Sequence, residues 1–174
     1  MSYILASLVF VLVIAADQIS KIFVAGNVPL ANTSSDSTPL IKGIFDLTFT
    51  HNNGGAWGLL GGYTWLLLAL TLLVMIICVT MLVKNGFKSK LLFWSVMLIL
   101  SGGIGNMIDR IFRGGVVIDF IQFHFWKTFP VFNIADIAVC IGSGLLILYF
   151  IIDIYKDNKA QKQRVIEANN PENS

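Results

Sequence analysis

The chain has 174 residues, of which 56% are hydrophobic and 13% charged, and its mean hydropathy is +0.77. Soluble domains carry roughly a quarter charged residues, so this balance excludes an ordinary soluble globular domain and points to a membrane protein. A net charge of +2 is too small to suggest a nucleic-acid partner, so the positions of the few charges carry the information.

Crossing a bilayer as a helix takes about 20 mostly apolar residues, and four segments qualify. The first, 3–25, is interrupted by Asp17 and Lys21. Its start, Met-Ser-Tyr, has no positive n-region, and no small-x-small cleavage site precedes a soluble domain. It therefore reads as an uncleaved span rather than a signal peptide. Within the loop 26–62, residues 31–39 are rich in Ser, Thr and Asn and read as a mobile loop. Residues 44–50 alternate, with Ile44, Leu47 and Phe49 apolar and Asp46, Thr48 and Thr50 polar, which is the period of a strand. The second span, 63–83, holds no charge, and the third, 91–108, ends at Asp109 and Arg110. In the loop 109–130, residues 116–125 are rich in β-branched and aromatic residues, so a small sheet on the membrane surface is expected. The fourth span, 131–155, has Asp136 near its start and Asp153 near its end.

The polar tail 157–174 is expected to fray. Residues 1–156 thus read as one all-α polytopic membrane domain, a four-transmembrane-helix bundle with a small extracytoplasmic β-element. No internal repeat is visible, which weighs against transporter folds built from related halves.

Orientation follows the basic residues at the span ends. Lys84, Lys88 and Lys90 join Lys156, Lys159, Lys162 and Arg164 on one side; Lys42, Arg110, Arg113 and Lys127 lie on the other. The larger basic set marks the cytoplasmic side, so both termini are expected inside and loops 26–62 and 109–130 outside.

Polar clusters then gather at the outer ends of the spans: Asp17 with Lys21; Asn52; Asn106, Asp109 and Arg110; Asp119; and Asn133 with Asp136. An ionisable group inside a span costs roughly 2.5–3.5 kcal/mol, so its default reading is functional. Two of these residues are aspartates on separate elements, Asp119 and Asp136. Two carboxylates sharing one proton can hydrolyse a peptide bond. The ionised one takes a proton from water, and the protonated one donates to the scissile carbonyl. His51 and His124 are far apart with no metal-ligand spacing, and no Ser/Lys or Ser/His pattern stands out. Two aspartates alone are a weak signal.

Their neighbours make it specific. The set Asp17-Gln18-x-x-Lys21, Asn52-x-Gly54-x-Ala56-Trp57, Gly102-x-x-Gly105-Asn106-x-x-Asp109-Arg110, Val-Val-x-Asp119-Phe120 and Phe132-Asn133-Ile134-Ala135-Asp136 resembles the bacterial lipoprotein signal peptidases, or signal peptidase II, over residues 3–155. The resemblance implies an intramembrane aspartic endopeptidase of the bacterial cytoplasmic membrane, without a cofactor. Its substrates would be diacylglyceryl-modified prolipoproteins, cut just before the lipidated cysteine. Membrane lipids would surround it, and a monomer is expected. By the same resemblance Asp119 and Asp136 match the catalytic aspartates. Asn52, Gly54, Ala56, Gly102, Asn106, Arg110, Asn133 and Ala135 match the remaining motif positions, read as substrate-binding or positioning, with Asp17 and Lys21 in support. Two departures stand out. Ile118 intervenes before the aspartate, so Asp119 follows Arg110 one residue later than the family pattern. The extra residue is expected in the Gly114-Gly115 turn or as a bulge. Gly55 stands where the family usually has Ala.

Several of these residues also have plainer readings. Asp17 and Lys21 are an i,i+4 pair that lowers the cost of two intramembrane charges. Asp109 marks the membrane edge. Gly102, Gly103 and Gly105 serve close helix packing. The glycines from Gly54 to Gly62 lack the ending of a phosphate loop. Trp57, Trp65 and Trp126 fit an interfacial aromatic belt, with Trp57 also suited to a lid. Cys78 and Cys140 are packing residues facing lipid or core. His51 and His124 are surface or satisfied residues, and Asp153 is solvated. The rival function is a small ion- or proton-coupled carrier using Asp17, Lys21, Asp119 and Asp136 as a relay. It would need polar residues through the full depth of the membrane.

Overall fold

The computed structural model describes residues 2–31, 37–85 and 87–168. In chain order these form α1 (Ser2–Asn27), β1 (Thr38–Ile41), β2 (Phe45–Asn52), a 3-10 turn (Ala56–Gly58), α2 (Thr64–Lys84), α3 (Lys90–Phe112), β3 (Val117–Phe123) and α4 (Ile134–Ala168). All four α-helices are long and apolar enough to cross a membrane. Helices satisfy their backbone internally, which is what a segment in hydrocarbon requires.

The bundle is inside-out relative to a soluble protein. Ile4, Leu5, Leu8, Val11 and Leu12 of α1 are exposed, as are Leu72, Leu73 and Ile76 of α2 and Ile147, Ile151 and Ile154 of α4. The buried positions include Asp17, Lys21, Ser95, Ser101 and Asp109 beside apolar residues such as Leu92 and Val96. Helix α3 is central, with residues from Leu92 to Gly105 largely buried. It starts on a proper cap, the Ser89 hydroxyl accepting from Leu92 N at 3.2 Å.

Small residues let α3 and α4 meet backbone to backbone. A Cβ on Gly102 would lie 2.2 Å from the Ala135 carbonyl oxygen, and one on Gly142 would lie 2.9 Å from both Ile99 N and Ser95 O. This is the small-residue contact expected where lipid removes the usual hydrophobic drive for helix association. At the end away from the site, Ala6, Cys78, Leu82, Phe93, Val96 and Tyr149 form a core. At the other end Val24 of α1 packs on Phe49, Ile118 and Phe120 and fastens the sheet to the bundle.

The sheet is antiparallel in the order β1-β2-β3. Phe45 to Leu47 pair with Phe123 to Ile121, and Thr50 to Asn52 pair with Asp119 to Val117; the register shifts between Leu47 and Thr50. The irregularity therefore sits on β2, around Thr48 and Phe49, opposite Phe120. Strand β3 keeps its alternation from Val117 onward, with Ile118 and Phe120 in the apolar cluster and Asp119 on the opposite face. The turn before it places Gly114 at φ +65 and Gly115 at φ +93, left-handed values that glycine adopts without penalty.

The structure corrects two sequence expectations. The stretch 31–39 is not loop throughout, because β1 begins at Thr38; residues 32–36 of it lie outside the described residues. The tail does not fray at Lys156. Helix α4 continues to Ala168, since no Gly or Pro interrupts that stretch and Lys, Gln and Ala favour helix. Residues 169–174 lie outside the described residues.

Candidate active site

Every sequence-predicted polar position gathers at one end of the bundle, between the sheet and the ends of α1, α3 and α4. Strand β3 presents Asp119, 1% exposed. Helix α4 presents Asp136 in its first turn. The two carboxylates are tied together by one residue. Asn133 precedes α4, and its Oδ1 accepts from Asp136 N at 2.9 Å, while Asp136 Oδ2 accepts from Asn133 N at 3.1 Å. This reciprocal arrangement is a capping box, which fills helix-start donors that would otherwise be orphaned. The same Asn133 donates through Nδ2 to Asp119 Oδ1 at 2.6 Å and to Asn106 Oδ1 at 3.0 Å.

Further amides complete the frame. Asn52, at the end of β2, donates to Asp119 Oδ2 at 2.8 Å, and its own Oδ1 accepts from Gly54 N at 3.0 Å. Asn106 donates to Asp136 Oδ1 at 2.8 Å. Its orientation is fixed from behind, because Asn106 Oδ1 also accepts from Lys21 Nζ at 3.0 Å. Burial pushes the Asp119 carboxyl up to about 7; the charge of Asp136 adds to the rise, and the amide bonds from Asn52 and Asn133 oppose it. A buried carboxyl beside another carboxylate holds its proton longest.

Behind this frame lies a buried ionic scaffold. Lys21 Nζ is 2.8 Å from Asp17 Oδ2 and 2.9 Å from Asp109 Oδ2, with all three side chains 0% exposed. Asp17 Oδ1 accepts from Ala135 N at 3.0 Å, so α1 caps the start of α4. Asp109 also accepts from Arg113 Nε, Gln18 Nε2 and the Ile118 backbone N–H. This corrects the reading of Asp109 as a membrane-edge charge. It is a fully buried acceptor whose donors come from α1, from Arg113 just past the end of α3, and from β3. Ile118, the residue extra to the family pattern, has its N–H held by Asp109 and its side chain buried beside Val24 of α1, and Asp119 still reaches the amide frame.

Of the remaining predicted positions, Gly102 and Ala135 lie under the site as helix contacts. Gly105 is equally constrained, since a Cβ there would fall 2.7 Å from Asp17 Oδ2 and 3.1 Å from Ala135 Cβ. A Cβ on Gly54 would come within 2.7 Å of the Gly58 backbone, so this turn closes only over glycine. Ala56 opens that 3-10 turn.

A cavity of about 530 Å³ opens over the carboxylates. Asn52, Asn106, Arg110, Asp119 and Asp136 supply its polar floor, and Trp57, Phe123, Phe129, Phe132, Val139 and Ile141 its apolar walls. Arg110 Nε is buried with no hydrogen-bond partner among the described residues. Trp57, with φ +53, stands edge-on to Phe129 at 5.8 Å between ring centroids. Cys140, read from sequence as packing, lines this cavity one helical turn beyond Asp136. The aromatic wall and the roles of Gln18 and Arg113 escaped the sequence reading; the Asp109/Arg113 spacing of four is the signal that points to the latter. His124 is satisfied by Asp46, as expected of a surface histidine.

Residues 9–152 match the family model described as signal peptidase (SPase) II. The chain is 43% identical over 141 residues to the lipoprotein signal peptidase of Bacillus pumilus, covering 80% of this chain and 88% of that one. It is 38% identical over 165 residues to the lipoprotein signal peptidase of Halalkalibacterium halodurans, covering 94% and 99%. Two solved structures of a bacterial membrane enzyme, obtained in meso at 2.3 and 1.9 Å, are each 31% identical to it. Their TM-scores are 0.76 and 0.72, and they cover 86% and 83% of this chain and 88% and 91% of their own.

Proposed function

The chain belongs to the signal peptidase II family, and on that premise we propose that Asp119 and Asp136 are the aspartic dyad with which it removes signal peptides from diacylglyceryl-modified prolipoproteins. The observation that carries the assignment is Asn133, one residue bonded to both carboxylates.

The geometry supports distinct roles for the pair. Asp136 sits at the N-terminus of α4, where the helix dipole favours negative charge, and only Asn106 separates it from the Lys21 ammonium. Asp119 has neutral amide donors alone, and its raised carboxyl keeps a proton near neutrality. Ionised Asp136 takes a proton from water as the oxygen attacks the scissile carbonyl. Asp119 donates its proton to the carbonyl oxygen. Collapse of the tetrahedral adduct breaks the C–N bond, with a proton passing to the departing nitrogen. Asn52, Asn106 and Asn133 are positioning residues. Arg110, whose buried Nε has no hydrogen-bond partner among the described residues, is a fork of donors suited to a peptide carbonyl or a headgroup oxygen. The apolar walls suit an extended signal peptide and acyl chains. Four crossings put both termini on one side; the excess of Lys and Arg in residues 84–90 and 156–164 supports the cytoplasm for that side and the outer face for the dyad. The carrier reading has no polar path to support it: α2 carries no charged residue before Lys84, and the buried carboxylates cluster at one end.

The test is cleavage of a diacylglyceryl-modified precursor by purified protein in detergent, with the unmodified precursor as control. Cleavage of both at equal rates would remove the lipid from the reading. A reporter fused after Lys162 should read as cytoplasmic; an external reading would invert the topology.

A further inference from the structure

A second polar cluster lies outside the site, on the outer sheet. Asp46, near the start of β2, is 2% exposed. Its carboxylate is bonded to Lys127 Nζ, to His124 Nδ1 at 3.1 Å and to the Ser37 hydroxyl at 3.4 Å. Lys127 also donates to Gln122 Oε1 at 3.1 Å and to Ser37 Oγ at 3.2 Å. The ammonium bonded to Asp46 holds its carboxyl below the usual range, with burial opposing and His124 assisting. The Asp46 carboxylate therefore stays charged at neutral pH. A buried carboxylate is expensive unless paired, and nothing in the proposed chemistry uses this one.

What it holds is the segment between β3 and α4. That segment is anchored at one end where His124 N donates to Ile44 O at 2.9 Å, and at the other by the Ile121–Phe132 bridge. Between those anchors lies the turn closed by Phe129 N donating to Trp126 O at 3.1 Å, and Lys127 sits inside it. The same turn carries Phe129, a wall of the cavity, packed at 5.2 Å on Phe123 and at 5.8 Å on Trp57.

We propose that Asp46, His124 and Lys127 are a clasp of positioning residues that fixes the Phe129 wall and thereby sets how tightly the cavity grips its substrate. The inference rests on the dyad reading for its kinetic consequence, but its structural half stands alone. Lys127 touches neither carboxylate of the dyad, so the chemical step is spared. A loosened wall acts on binding, which appears in KM.

The experiment compares Lys127→Met, Lys127→Arg and the parent, all in detergent. In Lys127→Met, chymotrypsin should cut after Phe125 or Trp126 faster than in the parent, with cleavage elsewhere unchanged. KM for the lipidated precursor should rise about three- to tenfold with kcat within about twofold, because the pair is half-exposed on the lysine side. Lys127→Arg should restore both. An unchanged cleavage rate at that turn would overturn the clasp. So would faster cleavage with unchanged KM, or a fall in kcat at constant KM. A parent protein inactive on the precursor would defeat the dyad reading instead, and the proteolysis would then decide the clasp by itself.

Discussion

Replacing Lys21 by Met removes the ammonium while keeping most of the stem. Lys21 is 0% exposed and spends its three protons on Asp17, Asp109 and Asn106, at 2.8, 2.9 and 3.0 Å. Deleting one partner of a buried ionic set leaves uncompensated charge, which costs about 3–5 kcal/mol. Thermal unfolding in detergent should show that loss directly. The effect on activity is smaller and separate. Asn106 keeps the bond to its Oδ1 from Asn133 but loses the one from the ammonium, so its grip on Asp136 weakens. Loss of about 1.4 kcal/mol there is about tenfold in rate. The triple variant Lys21→Met, Asp17→Asn, Asp109→Asn separates the two effects. It removes the stranded charges while Asn at position 17 still accepts from Ala135 N. Stability should return to within about 1 kcal/mol of the parent, and the cleavage rate should not. If Lys21→Met unfolds within about 1 kcal/mol of the parent, the ionic scaffold is not what holds α1 to α3. If the triple variant regains full activity, Lys21 is structural only and the Asn106 relay is wrong.

Asp119→Asn and Asp136→Asn should each reduce precursor cleavage to background, and the double variant should be no worse, because the two act as one unit; near-normal turnover of either single variant would end the dyad assignment. The Asp119 carboxyl, pushed up to about 7 by burial and by Asp136, still carries its proton in about half of the molecules at neutrality and loses it above. As the acid of the pair it should make kcat/KM fall as pH rises through about 7. A profile flat across that range would contradict the acid role, and Asp119→Glu, if active, should move the limb. Gly102→Ala puts a Cβ 2.2 Å from the Ala135 carbonyl, so α3 and α4 must part at a cost of about 1–3 kcal/mol. Gly144→Ala, where nothing lies within 4 Å, is the control and should unfold no earlier than the parent.

The spans were legible because lipid leaves a chain few alternatives: about 20 apolar residues in a row must be helix. Strand β2 was legible because its residues alternate, and β3 because β-branched and aromatic residues crowd it, as suits a strand whose first four residues are all buried. Strand β1 was not, since all four of its residues are exposed and no alternation exists to be read. The overrun of α4 has a different cause. Polarity after Tyr155 marks where the bilayer ends, whereas a helix ends at a breaker, and between Asp153 and Ala168 there is none.

Within the site, the sequence located the polar residues but not their division of labour. Asp17, Asp109, Asp119 and Asp136 are all carboxylates within or beside apolar runs, and spacing along the chain ranks them alike. Their partners, brought from other elements by the fold, separate them. Asp17 and Asp109 are each ion-paired to Lys21, with Asp109 paired again to Arg113. Their charge is neutralised in place, which suits a scaffold and leaves nothing for chemistry. Asp119 and Asp136 make no ion pair among the described residues. They are held only by amide and backbone N–H donors and face a cavity. A neutral donor fixes a carboxylate in space without fixing its protonation state, so a proton can still pass between the pair, the water and the substrate. If Asp119 and Asp136 are the dyad proposed above, asparagines around them and cations confined to the layer behind would let one end of this bundle be rigid and reactive together.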